Sequence, residues 1–105
     1  MPNAGNEPSD LGPIEILLVD DHTPIRKLLR EIIETYGDLS VVGEAANGEE
    51  AMLLAAKLKP AVVIMDTHLP VLGGIPATTL IKLNNPFTAV IGLTARAIHT
   101  KTKKR

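Results

Sequence analysis

Apolar residues in this chain follow two alternating patterns. The first is a short, largely apolar run, found at residues 14–20, 39–45, 61–66 and 89–94, and in the first and third of these it is apolar at nearly every position. Runs of this length, rich in β-branched residues, are typical of strands that are covered on both faces. The sequence therefore predicts four buried strands.

The second pattern is a helical spacing of apolar residues between these runs. Apolar side chains recur at positions 25, 28, 29, 32, 33 and 36, which share one face of a helix. Thr23 is predicted to cap this helix, and Pro24 suits its first turn. Gly37 suits its end.

Two further helices are predicted downstream. Asn47 is a candidate cap with Glu50 three residues later, and positions 51, 54, 55 and 58 form the inner face of the helix that follows. Pro60 lies beyond its end. Residues 75–84 predict the third helix, and the sequence NPF then turns the chain.

The resulting order of elements is β-α-β-α-β-α-β. Buried strands that alternate with helices indicate an α/β domain, a three-layer doubly wound parallel sheet with helices on both faces. Residues 1–13 show no period and are rich in Pro, Gly, Asn and Asp. We expect a flexible leader over 1–13 and one domain over 14–105.

Composition narrows the class of protein. Of the 105 residues, 45% are hydrophobic, so a core can form, but it must be aliphatic because Tyr36 and Phe87 are the only aromatic residues. The absence of cysteine excludes disulfides and thiol catalysis. A net charge of −1 gives no indication of nucleic-acid binding, although the end TKTKKR is locally basic. No run is long enough to cross a membrane and no signal peptide is visible, so a cytoplasmic location is expected.

Three aspartates follow the predicted strands. Asp20 and Asp21 end the first strand, Asp66 ends the third, and Thr94 ends the fourth. If the strand order is 2-1-3-4, these side chains flank one crevice at the carboxyl ends of the strands. Such a cluster is unfavourable without a cation, and oxygen ligands of this kind suit Mg²⁺. One carboxylate could then act as a nucleophile toward a phosphoryl group, with the Thr94 hydroxyl on one of its oxygens.

Plainer interpretations exist for the same residues. Asp21 could simply cap the following helix, Asp66 could be a polar strand end, and Thr94 could cap a helix. His22 and His68 suggest zinc, but no third ligand of matching spacing exists, so both are expected to be surface or loop residues.

The stretches LLVDDHTPIR, VVIMDTHLPVLGG and VIGLTA resemble the receiver (CheY-like) domain of two-component response regulators. The resemblance is greatest to receivers that precede a LuxR-type output domain. It implies a flavodoxin-like strand order of 2-1-3-4-5. It also implies that Asp66 accepts a phosphoryl group from a sensor histidine kinase, that Asp20, Asp21, Asp66 and the backbone carbonyl of His68 hold Mg²⁺, and that Thr94 is the switch hydroxyl.

The end of the chain departs from that family. A complete receiver needs roughly 35–40 residues after its fourth strand, whereas 11 follow Thr94. The last strand and helix, with the family's lysine, are therefore expected to be missing. Lys101, Lys103 and Lys104 follow Thr94 too closely to take that lysine's role.

Three functions are considered for a chain with these features, and the third is disfavoured. The first is a phosphorylatable receiver, a signalling switch and not a turnover enzyme, without direct DNA binding. The second is a truncated receiver that acts as a phosphorylation-independent interaction module or is inactive, with a second copy or a partner chain completing the exposed sheet edge. The third, a phosphohydrolase of the haloacid-dehalogenase type, is disfavoured because its DxDxT signature needs Asp where His68 stands.

Overall fold

The computed structural model describes residues 12–66 and 74–93. Within them, four strands alternate with three helices in the predicted order. The strands are β1 (Ile14–Val19), β2 (Leu39–Ala45), β3 (Val62–Asp66) and β4 (Ala89–Leu93), and the helices are α1 (Thr23–Glu34), α2 (Gly48–Leu58) and α3 (Gly74–Asn84). None of these helices has the length and apolar character needed to span a bilayer.

All the strand pairs are parallel, and the sheet order is β2-β1-β3-β4. This confirms the predicted doubly wound α/β class and the order 2-1-3-4. Because β1 and β3 are neighbours and parallel, their carboxyl ends lie side by side, as predicted.

One irregularity interrupts the pairing of β1 with β2. Ile16 pairs with Val41, but Leu17 pairs with Gly43, so β2 contains one extra residue at Val42. Side chains alternate between the faces of a strand, and a bulge of this kind shifts that alternation. As a result Val41 packs with Ile16 on one face of the sheet, whereas Ala45, four residues later, lies in the core of the other face.

The two faces of the sheet carry separate cores. One joins β1 and β3 to α2 and α3, and its buried members are Leu17, Val19, Ala45, Ala51, Ala55, Val63, Met65, Ala77 and Ile81. The other lies beneath α1 and has four buried members, Ile16, Leu18, Ile33 and Val41. We call these the α2/α3 face and the α1 face.

Helix α1 differs from its prediction in three respects, and the first is its end, because the helix stops at Glu34 with Thr35 as its cap and not at Gly37. His22, and not Thr23, occupies the N-cap position, and it makes no side-chain capping bond. Of the six apolar positions assigned to the inner stripe, only Ile33 is buried, while Leu28, Ile32 and Tyr36 are each about half exposed. The helix exists where the pattern places it, but most of its apolar stripe is not covered by the described residues.

Helix α2 follows its prediction closely. The Asn47 side chain accepts a hydrogen bond from the backbone N–H of Glu50 (2.9 Å), and the Glu50 carboxylate accepts one from the N–H of Ala46 (2.8 Å). The helix ends at Lys59, whose φ of 48° is left-handed. Buried Pro60 then leads into β3.

Candidate metal and phosphoryl site

The carboxyl ends of β1 and β3 lie side by side at one edge of the sheet. The last ladder pair of these strands joins Val19 to Met65. Asp20 directly follows the first of these residues and Asp66 directly follows the second. Strand pairing alone therefore brings two carboxylates from distant parts of the sequence to one place.

Four side chains converge at this edge. Asp20, Asp21, His22 and Asp66 each offer one potential ligand atom, and all four atoms lie within 4.8 Å of one another. The Asp20 side chain is 14% exposed and that of Asp21 is 33% exposed, so the cluster is partly shielded from water. The structure brings the three predicted aspartates together, while their roles stay predictions.

The backbone and side chain of Asp20 are fixed by three hydrogen bonds. Its N–H donates to the carbonyl of Ala45 (3.0 Å), which extends the β1–β2 ladder by one residue. Its carbonyl accepts from Nη1 of Arg26, and its Oδ1 accepts from the backbone N–H of His22 (2.8 Å). These bonds fix both the backbone and the carboxylate of Asp20.

The ring of His22 lies against the aspartate pair. Its Nδ1 is 3.1 Å from Oδ1 of Asp20 and 3.1 Å from Oδ1 of Asp21. The side chain is 62% exposed, as expected for a loop or surface residue. Its contact with both carboxylates was not predicted, and its position directly after the pair is the signal that could have suggested it.

A chain of charges beside the cluster joins α1 to β2. Arg26 donates through Nε to Glu44 (2.9 Å), and Arg30 donates through Nη1 to the other oxygen of the same carboxylate. Hydrogen bonds from Arg26 first and Arg30 second hold the pKa of Glu44 below its usual value. The same carboxylate raises the pKa of Arg30.

Neither Arg26 nor Glu44 was assigned a place at the site from the sequence. The sequence shows an arginine on a helix and a glutamate on a strand, 18 positions apart. Only the register of β2 and the start of α1 bring them together. No sequence spacing alone would have found this pair.

Two predicted site residues, Thr94 and His68, lie outside the described residues, as does the leader up to residue 11. What can be tested is whether the described donor set suits a cation. Three carboxylates that converge on one spot supply hard oxygen ligands, which Mg²⁺ prefers, and the partial exposure leaves room for the waters it retains. The described residues therefore fit Mg²⁺.

A large open groove lies at the other end of the sheet. Its volume is about 840 Å³, and its lining includes Ile14, Lys59, Ala61 and Phe87. Among the described residues that line it, Glu15 is the only carboxylate. One acidic group cannot form the converging set that a divalent cation requires, so size alone does not make this groove the functional site.

Comparison with known proteins identifies one family. Residues 16–104 match the family described as the response regulator receiver domain. The protein-glutamate methylesterase/protein-glutamine glutaminase of Shewanella frigidimarina is 48% identical over 73 residues, which are 70% of this chain and 18% of that protein. The chain thus spans less than a fifth of that relative.

Two solved structures have the same architecture. A LuxR-family two-component response regulator from Aurantimonas superposes with a TM-score of 0.75 at 34% identity, covering 89% of this chain and 69% of that chain. A chain of the CheX–CheY–BeF3–Mg²⁺ complex from Borrelia burgdorferi superposes with a TM-score of 0.75 at 27% identity, covering 80% and 63%.

Proposed function

This chain belongs to the response regulator receiver domain family, and from that premise we propose that Asp66 is its phosphoacceptor. The observation that carries the proposal is the convergence of Asp20, Asp21 and Asp66 at the carboxyl ends of β1 and β3. The family match and the LuxR-family neighbour confirm the resemblance read from the sequence.

The proposed reaction is phosphoryl transfer from a histidine of a sensor kinase. A carboxylate oxygen of Asp66 attacks phosphorus, a bond forms between them, and the bond from phosphorus to the kinase imidazole nitrogen breaks. The imidazole leaves with that electron pair and takes a proton from water. The product on this chain is an aspartyl phosphate.

Asp20 and Asp21 are proposed to hold Mg²⁺ together with Asp66 and the backbone carbonyl of His68. When bound, this ion supplies positive charge that offsets the charge on the phosphoryl oxygens. Asp20, fixed by its three hydrogen bonds, keeps its carboxylate directed at the site before any ligand arrives. The hydroxyl of Thr94 is proposed as the group that moves onto the phosphoryl group and reports its presence.

The proposed output is a change of conformation and not catalytic turnover. The match to the methylesterase covers 18% of that protein, so its esterase chemistry is not transferred to this chain. A domain that receives its phosphoryl group from a sensor kinase is placed in the cytoplasm under this proposal. Binding of this chain to DNA forms no part of it.

The test is Mg²⁺-dependent phosphorylation of the whole chain. With Mg²⁺ and acetyl phosphate, the wild type should gain the mass of one phosphoryl group, and Asp66→Asn should not. Asp38→Asn is the matched control, because Asp38 is an exposed aspartate that precedes β2 at the opposite end of the sheet. This variant should be phosphorylated like the wild type.

A separate titration tests the metal site. Isothermal calorimetry should show Mg²⁺ binding to the wild type and to Asp38→Asn, and strongly weakened binding to Asp21→Asn. The proposal fails if the wild type gains no mass under any Mg²⁺ concentration, or if Asp66→Asn gains as much as the wild type. A wild type that gains no mass would favour phosphorylation-independent interaction, the alternative function, whereas equal gain in Asp66→Asn would place the phosphoryl group on another residue.

A further inference from the structure

We propose that Arg26 is a positioning residue for the metal site, and that it sets the affinity of the aspartate cluster for Mg²⁺ by joining Glu44 to the carbonyl of Asp20. This inference rests on the proposed function, because it assumes that the cluster binds Mg²⁺. It assigns a role to a pair of side chains that do not contact the metal ligand atoms themselves.

The geometry of the guanidinium carries the proposal. Arg26 donates a hydrogen bond from Nε to the carboxylate of Glu44 (2.9 Å) and another from Nη1 to the backbone carbonyl of Asp20. The two bonds come from different nitrogens of one rigid planar group, so the carbonyl is held at a fixed distance from β2. Arg26 itself is anchored at the start of α1, where its N–H donates to the carbonyl of His22 (3.0 Å).

The carbonyl of Asp20 matters because it belongs to the peptide that joins the two predicted ligands. A peptide unit is planar, so fixing its C=O also fixes its N–H and the Cα of the next residue. Arg26 therefore limits the direction in which the Asp21 side chain leaves the backbone. The bond from the Asp20 N–H to Ala45 holds the other side of the same residue.

The positive charge of Arg26 explains an effect on Mg²⁺ affinity less well than the geometry of its hydrogen bonds does. The Arg26 side chain is 15% exposed and that of Glu44 is 24% exposed, so the two opposite charges are close and largely compensate each other. The remaining attraction of Arg26 for the aspartates is correspondingly small. A lysine at position 26 would keep the charge but would lack the two fixed N–H directions.

Arg30 provides a matched control within the same helix. It donates to the same Glu44 carboxylate and lies near Glu34 (3.5 Å), and its side chain is 43% exposed. Its described bonds go to these two glutamates and not to the Asp20 peptide. Loss of Arg30 therefore removes a comparable ion pair while the Arg26 bridge remains.

The experiment measures Mg²⁺ affinity by calorimetry in the whole chain, with melting temperature recorded without Mg²⁺. Arg26→Gln and Arg26→Lys should each weaken Mg²⁺ binding by roughly tenfold or more, the size reported for residues that orient metal ligands. Arg30→Gln should leave the affinity at the wild-type value. Amide shifts of Asp20 and Asp21 in NMR spectra should change in the Arg26 variants before Mg²⁺ is added.

Glu44→Gln keeps the test decisive if the Arg26 variants do not fold. This substitution weakens the bond between Arg26 and β2. The Mg²⁺ affinity of Glu44→Gln should therefore be lower than that of Arg30→Gln. Unchanged affinity in the folded Arg26 variants, or an equal loss in Arg30→Gln, overturns the inference. If Arg26→Lys binds Mg²⁺ like the wild type, charge and not geometry is responsible, which also overturns it. Absence of Mg²⁺ binding in the wild type would instead defeat the proposed function itself.

Discussion

The two faces of the sheet are stabilised in different ways. On the α2/α3 face, fully buried alanines of the helices let aliphatic side chains of β1 and β3 pack closely. On the α1 face, four buried residues lie under one described helix, and Ile91 and Leu93 of β4 are 48% and 42% exposed. There, the pairs of Glu44 with Arg26 and Arg30 join helix to sheet.

The contrast separates stability from chemistry. The α2/α3 face excludes water and supplies most of the described apolar burial, which is the dominant favourable term in folding. The α1 face is less well covered, yet its charged pairs reach the peptide of the aspartate cluster. The same sheet thus has a packed side that maintains the fold and a more polar side whose charged pairs contact the backbone of the aspartate cluster.

Substitution of two adjacent leucines in β1 tests this contrast directly and should give the largest effects. Leu17 and Leu18 are both fully buried but belong to opposite faces. Each change to alanine should cost about 2–5 kcal/mol of unfolding free energy. Leu17→Ala should lie at the upper end, because the packed face cannot relax into the space. Urea denaturation measures both, and a larger loss for Leu18→Ala would contradict the distinction.

Gly43 offers a smaller test of how tightly the α2/α3 face is packed. A Cβ at this position would lie 2.8 Å from Cδ1 of Leu58 and 3.3 Å from Cδ1 of Leu17. Gly43→Ala should therefore destabilise the chain, by about 1 kcal/mol, since both contacts are ends of side chains that can shift. Gly37→Ala is the control, because its Cβ would meet nothing within 4 Å. Equal melting temperatures for the two variants would show that the face is looser than described.

The smallest effect is expected from the charges of the α1 face, and it depends on pH. Glu44 has a pKa below its usual value of 4.5, so its ionised form favours the folded state. The stabilisation is present above that usual pKa and is lost as pH falls through the lower folded value. At pH 7 the free energy of unfolding of the wild type should exceed that of Glu44→Gln by up to about 1 kcal/mol.

This difference should close in acid, and chemical denaturation at a series of pH values measures it. Glu44→Gln has no titrating group at that position and serves as the baseline. A difference that stays constant from neutral pH to well below the usual carboxyl pKa would mean that the ion pairs do not contribute as described.

Most of the fold could be predicted because each element has a clear local signal. The short, largely apolar run of β2 and the cap at Asn47 predict bounds that agree with the structure to within one residue. The spacing of apolar residues in α1 shows which of them share a face but not what covers that face. Leu28 and Ile32 are therefore on the predicted face and yet about half exposed.

The aspartates of the site could be predicted as a group, and their supports could not. Parallel strands place their carboxyl ends together, so the order 2-1-3-4 is sufficient to join Asp20 to Asp66. The contact of Arg26 with Glu44 depends on which way a single side chain of β2 points. That direction is set by an irregularity in strand pairing, which the spacing of apolar residues in β2 does not specify.

The bulge at Val42 has a consequence for the direction of the Glu44 side chain. If all residues of the same sequence paired regularly, the two-residue repeat would put Glu44 on the side of the sheet opposite Val41, among the alanines of α2, where a charge could not be accommodated. With the bulge, Glu44 faces α1 and meets Arg26. A strand that contributes no candidate ligand is thus joined to the aspartate cluster through one backbone irregularity, by way of Arg26.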